Sequence, residues 1–357
     1  MTVVIPAHNR AEMVHRALES VASQAPSRPA EVVVVDDASS DGTAEVAESM
    51  GATVIRHSAN RGPSVARNSG IAAAGQPWIA LLDSDDEWLT RHLDALWRIR
   101  ADHVLVAASV LVRSGARAID RFSGPVGRRP VILRSPAALV FPQNFVSPSA
   151  AMISRRALLD AGGYRADLRR SEDLDLLLRV LEQGTGIVTP EIGAVYHEHP
   201  SQASNERHEM LTAHATVAAG YLRQAGRSCT LLRRMSGAIQ WDELRTALAQ
   251  GRKREALDRA KFLLSHPEHT LGVAGLLAWR RLGRRRGSEL RQTTQRTAGG
   301  TQATARSCRV VDRALEALLL PALGLAQSAP GRLERSPIQS LRRTTANALL
   351  CLSRKGV

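Results

Sequence analysis

Short apolar runs alternate with helical patterns over the first 110 residues of the chain. Residues 31–35 include four consecutive valines, a pattern typical of a parallel strand that is buried on both faces. Residues 10–23 carry apolar side chains at helical spacing. By the same reasoning the sequence predicts further strands over residues 2–5, 52–56 and 78–82, and helices over residues 43–50 and 62–74.

This alternation of strands and helices predicts an α/β fold, with a mostly parallel sheet and helices on both of its faces. Ligands of such sheets bind beyond the carboxyl ends of the strands. A polar cluster follows each of the four predicted strands: His8 with Asn9, Asp36 with Asp37, residues 60–62 and residues 83–86. Because the carboxyl ends of parallel strands share one edge, we expect these clusters to form one site.

The pattern is less regular after residue 103. Strands are predicted over residues 104–112, 150–154 and 193–199, a helix over residues 174–181, and a Gly-, Arg- and Pro-rich loop over residues 113–130. From residue 206 onward the pattern is helical and rich in Ala, Leu and Arg, with a linker-like stretch near residues 288–305. We therefore predict a catalytic domain over residues 1–205 and a helical C-terminal region over residues 206–357.

Charge is distributed unevenly between these two parts. The chain has 48 Lys and Arg residues against 34 Asp and Glu residues, a net charge of +14. Residues 1–206 hold 21 of the cations and 24 of the anions, so residues 207–357 hold 27 and 10, a net +17. This excess indicates either a solvated basic surface or contact with an anionic partner. Nucleic acid is disfavoured as the partner, because the basic region lacks interleaved aromatic residues.

The three cysteines are widely spaced and form no CxxC pair, so they imply neither a disulfide framework nor a zinc site, and they fit a reducing cytoplasm. The N-terminus does not resemble a signal peptide, and no stretch reaches the roughly 18–20 apolar residues of a spanning helix. Residues 271–279 form a short apolar run flanked by arginines. This run predicts either a packed helix or a peripheral contact with the inner face of the plasma membrane.

The sharpest candidate for chemistry is the acidic cluster Asp83, Ser84, Asp85 and Asp86 at the end of the fourth predicted strand. Three carboxylates within four residues repel one another and resist burial. A hard cation such as Mg²⁺ or Mn²⁺ relieves this repulsion, and it takes most of its ligands from water and substrate phosphates. The alternative is an acidic turn that caps the next helix.

Two other clusters have both a binding and a structural interpretation. The carboxylates of Asp36 and Asp37 suit hydrogen bonds from a base or a ribose, or they stabilise a turn with residues 39–42. Arg67 follows a predicted helix N-terminus, where it suits a phosphate group. Its alternative is a surface salt bridge.

Two more clusters occur in the second half of the predicted domain. Glu172 and Asp173 begin a helix, where a carboxylate is either a cap or a general base that removes a hydroxyl proton. His197 and His199 lie two positions apart on a predicted strand and so share one face. Each is either structural or a metal ligand, and no zinc-hydrolase pattern such as HExxH is present.

Together these motifs resemble the inverting family 2 glycosyltransferases of the GT-A fold. The resemblance begins at residues 3–10 (VVIPAHNR) and continues through residues 34–43 (VVDDASSDGT), 60–62 (NRG) and 66–70 (ARNSG). Residues 82–86 (LDSDD) resemble the family's DxD motif, residues 172–176 (EDLDL) its ED motif, and residues 196–200 (YHEHP) the end of its catalytic domain. The motifs follow the family's order over about residues 1–205.

This resemblance implies a role for each matching residue. Pro6, His8 and Asp37 would frame the nucleotide base of a nucleoside diphosphate sugar, and Asp83 would approach the ribose or the diphosphate. The rest of the predicted nucleotide-sugar site is Asn9, Asp36, Arg67 and Ser84. Asp85 would hold a Mn²⁺ or Mg²⁺ ion, with His199 as a second ligand. Asp173 would be the general base of a displacement that inverts the anomeric carbon.

We therefore expect a metal-dependent glycosyltransferase of bacterial cell-envelope polysaccharide biosynthesis. Its donor would be a nucleoside diphosphate sugar, with a UDP-sugar favoured, and its acceptor a glycan or a lipid-linked molecule. A non-catalytic relative that binds sugar nucleotides or glycans is the alternative. A nucleotidyltransferase is disfavoured, because no Gly-rich phosphate loop follows the first predicted strand.

Overall fold

The structure is a computed structural model of the chain. It describes residues 1–25, 29–114, 117–123, 129–140, 145–198, 207–224 and 252–266, and all but residues 238, 242 and 245 of the stretch 236–247. The chain divides into two compact units. The described residues up to 224 belong to the first unit, and those from 236 to 266 belong to the second. The predicted linker and the apolar run at 271–279 lie outside the described residues.

Four parallel strands form the first half of the sheet, in the order β3-β2-β1-β4. The elements in chain order are β1 (Thr2–Ala7), α1 (Ala11–Ala22), β2 (Glu31–Asp36), α2 (Thr43–Ser49), β3 (Thr53–Arg56), α3 (Pro63–Ala73) and β4 (Trp78–Leu81). Ile5 packs in one cluster with the buried face of α1, whereas Val4 on the other face contacts Gly70 of α3. Helices thus cover both faces of β1, as the unbroken apolar strands predicted.

The second half of the sheet is mixed. Its elements are β5 (Glu87–Trp88), α4 (His92–Ile99), β6 (Leu105–Ser114), β7 (Arg117–Ser123), β8 (Val131–Leu133), α5 (Ala137–Val140), a 3-10 helix (Pro148–Ala150), β9 (Ala151–Ser154), α6 (Arg155–Asp160), α7 (Glu172–Val180) and β10 (Gly186–Glu198). The sheet continues from β4 in the order β9-β6-β10-β5. β9 is antiparallel to both β4 and β6, and β10 is parallel to β6. The carboxyl ends of β4, β6 and β10 therefore share the edge formed by β1 and β2.

The predicted loop over residues 113–130 is wrong in part, because β7 (Arg117–Ser123) pairs antiparallel with β6. The Gly and Pro residues that indicated a loop all lie outside this strand, at positions 115, 124, 125, 127 and 130. Backbone hydrogen bonds to β6 hold β7, so the strand needs no apolar run that a sequence pattern would reveal.

β10 is longer than the predicted strand over residues 193–199, since it begins at Gly186. Its pairing with β6 shifts register on both sides of Ile192. Each shift interrupts the alternation of inward and outward side chains. The alternation pattern therefore indicated only the last part of the strand.

Two described helices follow the sheet. α8 (Arg207–Gln224) lies in the first unit and packs against α7, and α9 (Lys253–Ser265) lies in the second unit. Both agree with the helical pattern that begins near residue 206, while the predicted domain boundary stays a prediction. In the described part of the chain, no helix is both long enough and apolar enough to cross a membrane.

Candidate active site

The carboxyl ends of β1, β2 and β4 bring the first polar clusters to one edge of the sheet, because β1 pairs in parallel with both neighbours. Backbone hydrogen bonds join the loops that follow these strands. The Asp37 amide donates to the Ala7 carbonyl oxygen at 2.8 Å, and the His57 amide donates to the Asp36 carbonyl oxygen at 2.9 Å. The loops after β1, β2 and β3 therefore form one continuous surface.

Asp37 is buried, and its hydrogen bonds hold the loop after β3 against the end of β2. Its carboxylate accepts hydrogen bonds from the amides of Arg61 (3.0 Å) and Gly62 (2.7 Å) and pairs with His57 Nδ1 at 2.7 Å. Burial alone would raise the pKa of Asp37, but these hydrogen bonds lower it below its ordinary value. His57 Nε2 lies 2.9 Å from Ser69 Oγ, so the imidazole also ties the loop to α3.

The loops after β1 and β2 are held together by their own polar side chains. His8 Nδ1 donates to the carbonyl oxygen of Asp37 at 2.8 Å. Asn9, which has a left-handed φ of 52°, accepts a backbone N–H of the loop after β2 at 2.8 Å. Asp36 Oδ1 accepts the N–H three residues ahead at 3.3 Å, which is the predicted turn contact. Pro6 is buried within β1. The nucleotide-binding roles of these residues stay predictions.

The carboxylates of the acidic cluster have different environments. Asp86 is fully buried and accepts hydrogen bonds from the Ser149 hydroxyl at 2.5 Å and the His197 amide at 3.2 Å. Burial raises its pKa, and the charges of Asp83 and Asp85 raise it further. Asp86 therefore connects β10 and the 3-10 helix to the loop that carries the acidic cluster, residues 83–86, which we call the acidic loop. This is a structural role.

Arg67 bridges the acidic loop and the start of α7. Its Nη2 lies 2.5 Å from Asp83 Oδ1, and its Nη1 lies 3.4 Å from Glu172 Oε1. The guanidinium carbon lies 5.2 Å from the centroid of the buried Tyr164 ring. The side chain is only 7% exposed, so the salt bridge of the sequence analysis is present but buried. Although burial opposes the charge, the neighbouring carboxylates raise the pKa of Arg67 and keep it cationic.

The other two members of the acidic loop lie between these anchors. Ser84 is buried and Asp85 is half-buried. Arg16 of α1 donates from Nη2 to the carbonyl oxygen of Asp85 at 2.5 Å. This contact supports the backbone of the loop at Asp85, the predicted metal ligand.

α7 begins at Glu172 and Asp173, directly after Ser171, which has a left-handed φ of 58°. Both residues are half-buried. Burial is the largest influence on each and raises the pKa of both. The charge of Arg67 lowers the pKa of Asp173, and the charge of Asp83 raises it. Asp173 is therefore close enough to the acidic loop to interact electrostatically with it.

The end of β10 contributes His197 to the same edge. Its Nε2 lies 2.9 Å from Glu87 Oε1, and burial and then the charge of Arg16 lower its pKa. His199 lies outside the described residues, so its role as a metal ligand stays a prediction.

Sequence reasoning missed the residues that support the site. Ser149 and Tyr164 have no local signal, because their partners are distant in the chain. His57 directly follows a predicted strand at the same edge as the four polar clusters, so its position could have indicated it. Arg16 belongs to the predicted α1, but its contact with the acidic loop depends on the tertiary packing.

A divalent cation would find few protein ligands here. Among the described residues, no three His, Cys, Asp or Glu side chains gather as a metal site. Asp83 pairs with Arg67 and Asp86 bonds Ser149, so both carboxylates are already engaged by protein groups, and the half-buried Asp85 stays the predicted ligand. Mg²⁺ is commonly held by one or two carboxylates with water and substrate phosphates. The side chains therefore fit a cation that binds together with a diphosphate.

Part of the chain matches known glycosyltransferases in sequence. The sequence model of the family described as Glycosyl transferase family 2 matches residues 2–161. The pre-mycofactocin glycosyltransferase of Mycobacterium tuberculosis is 32% identical over 214 residues, covering 57% of this chain and 43% of that protein. The succinoglycan biosynthesis protein ExoO of Rhizobium meliloti is 36% identical over 217 residues, covering 55% of this chain and 60% of that protein. The chain spans about half the length of the curated relatives it matches.

Solved structures share the fold. The crystal structure of S. aureus TarS 1-349 in complex with UDP-GlcNAc has a TM-score of 0.55 and 16% identity, and the match covers 82% of this chain and 91% of that one. The shared fold is a mixed sheet with flanking helices of the GT-A type. Residues 2–161 thus resemble glycosyl transferase family 2 in sequence, and a named glycosyltransferase matches over 57% of the chain.

Proposed function

We propose that this protein transfers a sugar from a nucleoside diphosphate sugar to a hydroxyl group of a glycan or a lipid-linked acceptor, with inversion at the anomeric carbon. The observation that carries the proposal is the Arg67 bridge, which joins Asp83 to Glu172, 105 residues after Arg67 in the chain. Because the DxD-like and ED-like motifs meet at one buried cation, donor and acceptor would react at this edge.

In the proposed reaction, the acceptor oxygen bonds to the anomeric carbon as the bond from that carbon to the diphosphate oxygen breaks. The acceptor proton passes to the Asp173 carboxylate, and the diphosphate leaves with the bonding electrons. One direct displacement inverts the anomeric configuration. The raised pKa of Asp173 supports this role, because a general base works best when its pKa approaches the working pH.

The other predicted residues would hold the donor. Pro6, His8 and Asp37 would frame the base, and Asp83 would approach the ribose or the diphosphate. A Mg²⁺ or Mn²⁺ ion held by Asp85, with His199 as a further candidate ligand, would supply positive charge to the leaving diphosphate. TarS is solved with UDP-GlcNAc and with UDP, which supports a uridine nucleotide as the first donor to test.

Two relatives support a role in polysaccharide biosynthesis. ExoU and ExoO of Rhizobium meliloti are named as succinoglycan biosynthesis proteins, and polysaccharide assembly uses glycan or lipid-linked acceptors. A cytoplasmic enzyme of this kind would meet a lipid-linked acceptor at the inner face of the plasma membrane, where the net +17 of residues 207–357 would favour anionic lipid. Cosedimentation with anionic vesicles, but not with neutral ones, is the expected result.

Calorimetry with UDP, GDP, dTDP and CDP, each with and without Mn²⁺, tests the donor site. We expect Mn²⁺-dependent binding of one nucleotide, and its loss in Asp85→Ala. Asp160→Ala is the matched control, because this carboxylate is exposed on α6. Equal binding without Mn²⁺ would contradict the metal assignment. Nucleotide binding without turnover of the matching sugar donor, even by water, would support the non-catalytic alternative.

A further inference from the structure

The segment between α6 and α7, residues 161–171, contains no helix or strand, and one side chain of α3 anchors it. Asn68 Nδ2 donates to the Tyr164 carbonyl oxygen at 2.8 Å, and Asn68 Oδ1 accepts the Tyr164 amide at 2.8 Å. A single carboxamide thus satisfies both backbone groups of one residue, as a neighbouring strand would. The pairing joins residues 96 positions apart, so it fixes the course of the segment over α3.

Gly163 leaves room for this pairing. A Cβ at residue 163 would lie 2.6 Å from Asn68 Oδ1, and the residue has a φ of +69°. The preceding Gly162 has a similar φ of +78°, but a Cβ there would meet nothing within 4 Å. Both glycines therefore have a left-handed backbone conformation. Only at residue 163 would an added Cβ also collide with the Asn68 side chain.

The anchored residue leads directly to the proposed catalytic groups. The Tyr164 ring is buried below the guanidinium of Arg67, the neighbour of Asn68 on α3. Arg67 in turn contacts both Asp83 and Glu172. Two consecutive residues of α3 thus hold Tyr164, one through its backbone and one through its ring. The segment that they hold ends where α7 presents Asp173.

We propose that Asn68 is a positioning residue, which fixes the segment 161–171 on α3 and so sets the place of Asp173 relative to the donor. This inference rests on the proposed function, in which Asp173 is the general base. Without the carboxamide, the Tyr164 N–H and C=O lose both protein partners, and the start of α7 can shift. The loss should appear in turnover rather than in nucleotide binding, because the proposed base and metal contacts, Asp37 and Asp85, follow β2 and β4 rather than the segment.

The test compares Asn68→Ala and Gly163→Ala with Gly162→Ala as the matched control. Turnover is measured as UDP release from a panel of UDP-sugars with water as the acceptor, and nucleotide binding by calorimetry with UDP and Mn²⁺. We expect kcat to fall about 10- to 100-fold in the first two variants, since misplacement by about 1 Å can cost about 100-fold. UDP affinity should stay within about threefold of the wild type, and Gly162→Ala should retain most of the turnover.

Hydrogen exchange provides a readout that does not depend on activity. Amides of residues 164–174 should exchange faster in Asn68→Ala and Gly163→Ala, whereas those of β1 and β2 should not change. Unchanged exchange and unchanged kcat in Asn68→Ala would overturn the inference. An equal fall in kcat in Gly163→Ala and Gly162→Ala would also overturn it. If the wild type binds none of UDP, GDP, dTDP and CDP and releases none of them from the matching sugar donors, the proposed function fails, while the exchange data still decide whether Asn68 anchors the segment.

Discussion

Ser149 Oγ lies 2.5 Å from Asp86 Oδ2, and both residues are fully buried. The Asp83 amide donates to the same hydroxyl oxygen at 3.2 Å. The hydroxyl therefore links two members of the acidic cluster without contacting solvent. Asp86 therefore has a structural role in this loop, whereas Asp85 is half-buried and is the carboxylate that we propose as the metal ligand.

The first prediction is that Asp86→Ala destabilises the fold and Asp85→Ala does not. Removing the Asp86 carboxylate leaves the buried Ser149 hydroxyl and the His197 amide without this acceptor, a loss of about 1–3 kcal/mol for each unsatisfied group. Urea unfolding measures the change. Asp85→Ala should unfold at the wild-type urea concentration and lose Mn²⁺-dependent nucleotide binding. Wild-type stability in Asp86→Ala would show that the carboxylate is not a structural anchor.

The second prediction concerns the buried bridge. Arg67→Ala leaves Asp83 and Glu172 without their shared cation, and removal of one partner from a buried ion pair typically costs about 3–5 kcal/mol. The stability of Arg67→Lys should lie between those of the wild type and Arg67→Ala. An ammonium group keeps the charge, but it lacks the planar guanidinium geometry that contacts two carboxylates at once. Urea unfolding of both variants tests this order.

Arg56→Ala is the control for the bridge. Arg56 also pairs with two carboxylates, Glu45 and Glu48, but all three side chains are exposed. Its removal should change stability little, since solvent screens exposed pairs. If Arg56→Ala and Arg67→Ala lose the same stability in urea unfolding, burial does not make the Arg67 ion pairs stronger than the exposed Arg56 pairs.

The sequence predicts the parts of the fold that depend on local pattern. The valine run of β2 and the turn residues before α2 and α3 indicate their elements directly, and their order predicts the parallel half of the sheet. β7 and the first part of β10 were not predicted, because β7 depends on pairing with β6 and β10 changes register around Ile192.

The candidate site shows the same division. Asp36, Asp37 and Asp83 could be placed at one edge from strand order alone. The contacts of Arg67 with Glu172, and of Asn68 with Tyr164, could not be predicted, because each joins residues about a hundred positions apart. The tertiary fold brings these pairs together by placing the start of α7 and the segment before it next to the Arg67 and Asn68 side chains of α3.

The third prediction is a pH dependence of stability that originates at His92. This side chain is fully buried, and neither ring nitrogen has a hydrogen-bond partner among the described residues. Burial lowers its pKa to about 3, whereas an unfolded histidine titrates near 6.5. Between these values the unfolded chain binds a proton that the folded chain does not, so stability is complete above about pH 6.5 and falls with acidification.

The expected size is about 1.4 kcal/mol per pH unit, or about 2 kcal/mol on going from pH 6.5 to 5. Urea unfolding at pH 7 and pH 5 measures it in the wild type and in His92→Leu, which should lose this part of the dependence. His15→Leu is the control, because His15 is about half exposed on α1 and its removal should leave the dependence unchanged. An identical pH dependence in His92→Leu and the wild type would exclude His92 as its source.

The last prediction tests Asp173 as the general base. Asp173→Asn keeps the size of the side chain but cannot accept the acceptor proton, so UDP release from the productive donor should fall by about 100- to 10,000-fold. UDP affinity in the presence of Mn²⁺ should stay near the wild-type value, because the proposed donor contacts lie on other loops. Asp175→Asn is the control on the same helix, since Asp175 pairs with Arg179 and should be dispensable for proton transfer.

The pH profile of the wild type adds a second criterion for Asp173. A general base must be deprotonated, so the rate should fall as the pH drops through the pKa of Asp173. Burial raises that pKa above the ordinary 3.8, which moves the acid limb of the profile to higher pH than an exposed aspartate would give. Wild-type turnover in Asp173→Asn would exclude this residue as the base. An acid limb at the ordinary value would mean that a different, solvated group controls the rate.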